Sequence, residues 1–251
     1  MEKLPAFRAV RLKREEIASF EDYPFAIPAI KSLDRLELHP AVTFIVGENG
    51  SGKSTLIEAI AVKAGFNAEG GSRNFQFASR ESHSPLHRHF VLERSHRKPT
   101  DNYFLRAESF FNVATEIEKL DKQKNGRSII GSYGWKSLHE QSHGESFFAL
   151  LTNRLGGNGL YIFDEPEAAL SPQRQLSMLV IIDDLVKKGS QLIIATHSPI
   201  IMAYPDSIIY EVSSNGIAPV SYTETEHYRV TRNFLNRYPT MLAQLLNRLP
   251  L

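Results

Sequence analysis

Eight consecutive residues, Gly47-Glu48-Asn49-Gly50-Ser51-Gly52-Lys53-Ser54, bring three glycines, a lysine and a hydroxyl together at the spacing of a Walker A phosphate loop. Glycines let successive backbone N–H groups turn toward one point, and a helix N-terminus beyond them adds positive potential. The Lys53 ammonium would pair with terminal phosphates and the Ser54 hydroxyl would ligate Mg²⁺. Gly47, Asn49, Gly50, Ser51, Gly52, Lys53, Ser54 and Thr55 are therefore the candidate contacts to ATP. A second chemical group is Asp164-Glu165. Two adjacent acids alone more often mark a solvated turn, but beside a phosphate loop they take complementary roles. Asp164 joins Ser54 around Mg²⁺, and Glu165 polarises the attacking water. A third is His197, where a lone histidine is ordinarily structural; at a phosphate edge it can donate to the γ-phosphate and report its loss.

Such groups work only if the chain carries them to one place. Residues 41–46 form a continuous, β-branched apolar run ending at Gly47, the pattern of a buried parallel strand. Residues 54–63 then place Leu56, Ile57, Ile60 and Ala61 at helical spacing, with Gly65 as a stop. A second buried strand, 159–163, runs straight into the acidic pair. Ser171 and Pro172 open a helix whose predicted apolar side is Leu176, Leu179, Val180, Leu185 and Val186. The next strand, 191–195, delivers Thr196 and His197 to the same edge, because strands joined by helices run parallel. Strands are also predicted at 207–212 and 217–222 around Ser213-Ser214-Asn215-Gly216, followed by helical patterning interrupted by Pro239.

In sequence order, the loop, then Asp164-Glu165-Pro166-Glu167, Ala169-Leu170-Ser171-Pro172 and Thr196-His197-Ser198-Pro199, resembles an ABC-type ATPase over most of the chain. The pattern is most similar to stand-alone bacterial ATPases in which Ser142-His143-Gly144-Glu145-Ser146 takes the place of the signature segment, and to the soluble heads of recombination and chromosome-maintenance ATPases. The resemblance implies an α/β P-loop fold of ABC type: a mainly parallel core sheet flanked by helices, an inserted helical lid lobe and no coiled-coil arm. It implies ATP and Mg²⁺ as cofactors, the segment after Glu165 as the D-loop, and His197 as the switch that contacts the γ-phosphate. It also implies an ATP-dependent homodimer in which Ser142 and Gly144 grip the phosphate held by the other chain. The signature departs from the usual residues at His143 and Glu145. The best match to the family's glutamine loop is Phe104-Leu105-Arg106-Ala107-Glu108, with Glu108 as the substitute, and Tyr23 or Phe25 are candidates for stacking on adenine.

Composition bounds the rest. A chain of 251 residues, 42% hydrophobic and 23% charged, is long enough for a large core, and its formal charge of +1 provides no global field toward nucleic acid or anionic lipid. The absence of cysteine excludes thiolate chemistry and fits a reducing compartment. With no signal-peptide pattern and no apolar run long enough to span, a cytoplasmic protein without direct membrane insertion is expected. A single domain is expected, with 1–69 and 155–251 as nucleotide-binding core and 70–154 as inserted lid and signature lobe. Within that lobe, residues 73–98 carry Arg73, Arg80, Arg88, Arg94, Arg97 and Lys98 against two acids, with Phe75, Phe77 and Phe90 interleaved. That composition suits a nucleic-acid surface, yet a lid over the nucleotide or a pairing surface for an unknown protein partner explains it as well. The functional alternatives are a DNA-associated repair or defence ATPase and the nucleotide-binding subunit of a transporter with a separate membrane partner.

Overall fold

The computed structural model describes residues 4–73, 84–123, 131 and 143–247. Along the chain run β1 (Phe7–Leu12), α1 (Pro28–Lys31), β2 (Arg35–Glu37), β3 (Val42–Gly47), α2 (Lys53–Lys63), β4 (Phe90–Arg94), β5 (Asp101–Arg106), α3 (Phe110–Gln123), α4 (His143–Asn153), β6 (Gly159–Asp164), α5 (Pro172–Lys187), β7 (Gln191–Ala195), β8 (Ser207–Ser213), β9 (Gly216–Pro219) and α6 (Glu226–Leu245). A six-stranded sheet has the order β5-β6-β7-β3-β8-β9, parallel throughout except for β9. A smaller antiparallel sheet has the order β2-β1-β4.

Every residue of β3, β6 and β7 is buried, which is why these strands read as unbroken apolar runs rather than alternating ones. Successive side chains still point to opposite faces. Phe44, Tyr161 and Phe163 enter a core with α4 and α5, while Ile45, Leu160 and Ile162 enter one with α2 and the small sheet. Gln191 joins the two sheets. Its side-chain oxygen accepts from the backbone of Ala6 and Phe7, and its amide donates to the carbonyls of Phe7 and His39.

Register decides where the chemistry goes. Ile45 pairs with Ala195, Asp164 with Ala195, and Arg106 with Asp164, so four parallel strands end together. Gly47, Glu165 and Thr196 each follow directly at that edge.

Two expectations need correction. On α5 the buried residues are Met178, Ile182, Leu185 and Val186, whereas Leu176 and Val180 are 49% and 63% exposed. Two apolar stripes on this helix satisfy the same 3.6-residue period, and only packing distinguishes them. The last strand stops at Pro219 because Tyr222–Glu224 turns as a 3₁₀ segment leading into α6. The interruption expected at Pro239 is present: α6 bends at Arg237, where φ is −137°, because the proline removes a hydrogen-bond donor from the turn behind it. Within residues 70–154, β4 and β5 belong to the two sheets, and α3 and α4 are the described helices.

Candidate functional site

The loop after β3 departs from ordinary backbone at three glycines, with φ of +145° at Gly47, +78° at Gly50 and +101° at Gly52. A side chain at Gly47 would meet the carbonyl oxygen of Val212 at 2.3 Å, and one at Gly52 would meet Ile27 at 2.5 Å. These glycines are thus needed both for backbone conformation and for close approach. Immediately beyond, α2 begins at Lys53 and directs its free N-terminal N–H groups into the loop. Lys53 is buried and its Nζ donates to the Glu48 carbonyl at 2.8 Å, curling back over the loop.

Ser54 Oγ donates to Asp164 Oδ1 at 3.3 Å, across 110 residues of sequence. Asp164 is buried, and burial pushes its carboxyl up to about 7; Arg106 opposes that shift and the neighbouring Glu165 adds to it. A desolvated carboxylate beside a hydroxyl, next to a phosphate loop, is a hard-oxygen donor set that fits Mg²⁺. Burial likewise lowers the Lys53 ammonium from its ordinary value, against the pull of Glu165, Asp164 and Glu167.

Glu165 has a left-handed backbone, φ 52° and ψ 52°, unusual for a residue with a side chain. Its amide is held by the Ala195 carbonyl at 3.0 Å, and its Oε1 lies 3.3 Å from His197 Nε2. Glu167 is half-buried beneath: it accepts from the Thr196 hydroxyl at 2.7 Å and from the His197 amide, fixing the backbone that carries the histidine. Burial raises the Glu167 carboxyl from its usual range. A cavity of about 330 Å³ is lined by Asn49, Gly50, Gly52, Lys53, Ser54, Thr55 and Glu165, with Tyr23 and Ile27 completing the wall.

The fold brings together Gly47, Asn49, Gly50, Ser51, Gly52, Lys53, Ser54, Thr55, Asp164, Glu165 and His197. Gly144 stands in the first turn of α4, where a side chain would meet the Ala169 carbonyl at 2.7 Å and the Arg174 guanidinium at 3.1 Å. Ser142 lies outside the described residues. The two aromatic candidates separate: Phe25 packs edge-on against His89 and Phe20, whereas Tyr23 is 68% exposed beside the loop.

Two residues escaped the sequence reading. Arg106 ends β5 opposite Asp164, with Nε 3.5 Å from Asp164 Oδ2 and Nη1 2.6 Å from Glu58 Oε2. Glu108, the expected substitute for the glutamine, is a largely exposed partner of that arginine at 3.4 Å. His227, on the first turn of α6, places Nε2 3.0 Å from His197 Nδ1. Arg106 had a signal, since it lies within the stretch picked out for the glutamine loop; His227 had none.

Of the described residues of the basic span, Arg97 sits at the other end of the sheet. Arg97 donates to Asn158 at 2.7 Å and to the Gly189 carbonyl, on the turns that precede β6 and β7. At about 3.3 Å per residue, those strands separate it from the phosphate loop by roughly 15–20 Å. Arg73, Arg94, His96, Arg97 and Lys98 line a cavity of about 470 Å³ there. Arg73 and Arg94 stack over Phe66 and Phe7, with no ion pair to either guanidinium among the described residues. No cluster of three or more His, Asp or Glu suited to a metal occurs among the described residues, so the histidines of this span form no such site there. No helix among the described residues is long and apolar enough to cross a membrane.

Comparison with known proteins places the chain in a family. The AAA domain family model matches residues 15–147, just over half the chain, and the AAA ATPase domain model matches residues 144–202. The macrolide export ATP-binding/permease protein MacB of Hahella chejuensis is 24% identical over 224 residues, covering 79% of this chain and 33% of that protein. The nucleoside import ATP-binding protein NupA of Lactococcus lactis is 25% identical over 169 residues, 61% of this chain and 32% of that one. The chain thus spans about a third of the length of these curated relatives. Among solved structures, the SMC head domain from Thermotoga maritima aligns over 86% of this chain and 99% of that one, with 18% identity and a TM-score of 0.46. The chain belongs to the AAA domain family of ATPases, in agreement with the ABC-type resemblance of its motifs.

Proposed function

We propose that this chain is an Mg²⁺-dependent ATP hydrolase that works as a two-fold dimer, each ATP lying between the phosphate loop of one chain and the 142–146 segment of the other. The observation that carries the reading is the convergence on one sheet edge of Lys53, the Ser54–Asp164 pair and the Glu165–His197 pair. The loop amides and Lys53 bind the β- and γ-phosphates, and Tyr23 is placed to stack on the base. Ser54 and Asp164 would hold Mg²⁺, which when bound neutralises phosphate charge. Glu165, at the mouth of the cavity, takes the proton of the attacking water. His197 offers its Nε2–H to the γ-phosphate and to Glu165, so loss of that phosphate removes one of its partners. In this reading 70–154 contributes a lobe through α3 and α4. The N-terminus of α4 would supply N–H groups at Gly144 to the phosphate held by the partner chain.

The test is phosphate release with Mg²⁺ and ATP by wild type and Glu165→Gln. Turnover should fall at least a hundredfold in the variant while ATP binding and an ATP-dependent dimer persist. Wild-type turnover in Glu165→Gln would refute the assignment of the base.

A second reading concerns what the cycle acts on. The cavity of Arg73, Arg94, Arg97 and Lys98 carries cationic groups with no lining carboxylate among the described residues, which favours a phosphate backbone as partner over an uncharged surface. Fluorescence anisotropy with duplex DNA across a salt series checks it: affinity should fall steeply with salt and drop in Arg94→Ala/Lys98→Ala. A reading as the nucleotide-binding subunit of a transporter draws on the relatives' names and has no counterpart in the site, where Arg106 and Glu108 occupy the expected glutamine segment.

A further inference from the structure

His197 is gripped from both sides. Nε2 faces Glu165 Oε1 at 3.3 Å, and Nδ1 faces His227 Nε2 at 3.0 Å, with the two rings tilted by 58° and their centroids 5.1 Å apart. His227 is itself rigidly mounted. Its helix is capped by the fully buried Thr225, whose Oγ1 accepts from the Tyr228 amide and donates to the Tyr222 carbonyl at 2.8 Å. Tyr222 in turn donates its hydroxyl to the Pro199 carbonyl at 2.9 Å, two residues past His197. The remaining ring nitrogen of His227, Nδ1, is buried and has no hydrogen-bond partner.

A neutral imidazole has one N–H and one lone pair. Two proton arrangements therefore compete. In the first, His227 Nε2–H donates to His197 Nδ1, and His197 presents Nε2–H to Glu165; the only unmet group is a lone pair on His227 Nδ1. In the second, His197 Nδ1–H donates to His227 Nε2. That leaves a bare His197 Nε2 against the Glu165 carboxylate and a buried, unmet N–H on His227. An unmet N–H is costlier than an unmet lone pair, and two acceptors 3.3 Å apart repel. A doubly charged pair is opposed by burial and by Lys53, which lower the proton affinity of both rings.

We propose that His227 is a positioning residue for the switch histidine: its Nε2–H holds His197 in the tautomer that carries a proton on Nε2, the nitrogen aimed at Glu165 and the transferring phosphate. The functional consequence rests on the ATPase reading above, whereas the tautomer does not.

The first arm needs no nucleotide. Long-range ¹⁵N correlation spectra of the ¹⁵N-histidine-labelled full chain should show His197 protonated on Nε2; a wild-type His197 protonated on Nδ1 overturns the proposal. The second arm compares His227→Phe, which keeps a flat ring without a donor, with His227→Gln, whose amide can donate from a similar position. His227→Phe should lower kcat about tenfold, the scale of one positioned hydrogen bond, with KM for ATP within about twofold of wild type. It should also shift His197 toward the Nδ1–H form, and His227→Gln should recover most of both. Unchanged kcat and tautomer in His227→Phe overturn the proposal, as does a His227→Gln as slow as His227→Phe with His197 in the wild-type tautomer. If wild type neither binds nor hydrolyses ATP, the ATPase reading fails while the tautomer measurement still decides the role of His227.

Discussion

Replacing Asp164 with asparagine should stabilise the nucleotide-free protein while abolishing its hydrolysis. Asp164 is 3% exposed, and burial raises its carboxyl from an ordinary 3.8 to about 7 in the folded chain. At about 1.4 kcal/mol for each tenfold change in proton affinity, holding it ionised in place costs about 2–4 kcal/mol, the upper figure being the full conversion. The sign follows from linkage: the unfolded chain releases this proton near 3.8 and the folded chain near 7, so wild-type stability is lost as pH rises through that window and the loss is complete above it. Asparagine has no proton to release. In chelator and without nucleotide, Asp164→Asn should melt close to wild type at pH 4 and about 5–15 °C higher at pH 8, at about 2–4 °C per kcal/mol for a chain of this size. Differential scanning fluorimetry across pH 4–8.5 measures it. A variant that is less stable than wild type at pH 8, or whose advantage does not change with pH, would refute the placement of a desolvated carboxylate beside the phosphate loop.

Other outcomes follow from the same geometry. Lys53→Ala should reduce ATP affinity at least a hundredfold by calorimetry while leaving the melting temperature of the apo protein unchanged or higher, since a buried ammonium is removed. Gly52→Ala should lose nucleotide binding and about 1–3 kcal/mol of stability in urea melts, because its φ of +101° and the Ile27 side chain at 2.5 Å both exclude a Cβ. Arg106→Ala should lower stability by about 3–5 kcal/mol by taking the cation from Glu58 and Asp164, and because Arg106 opposes the rise that burial imposes on the Asp164 carboxyl, the loss should grow as pH rises through and above 7.

What was legible in the sequence was local. The strand, glycine loop and helix around Lys53 are contiguous, so chain order alone carries both the motif and the elements that mount it. The same holds for β6 running into Asp164-Glu165 and for β7 running into Thr196-His197. Groups brought together by packing were not legible. Glu167 sits in a recognisable motif, yet its role as the acceptor for Thr196 and His197 depends on adjacent strands meeting at Ala195. Arg106 reaches Asp164 only because β5 is the edge strand beside β6. His227 lies thirty residues beyond His197 in a helix that gives no motif, and it arrives there through the capping of α6 against the loop after β7. The exposed face of α5 was misjudged for a related reason: periodicity marks an apolar stripe and cannot say which of two stripes the sheet covers.

The most direct test of the central claim is ATP binding and assembly measured together in Glu165→Gln. Sedimentation velocity with Mg²⁺ and labelled ATP should convert monomer to dimer with one ATP per chain, and Lys53→Ala introduced into the same variant should abolish both. A chain that stays monomeric without bound ATP, or that binds ATP equally well without Lys53, would contradict the account.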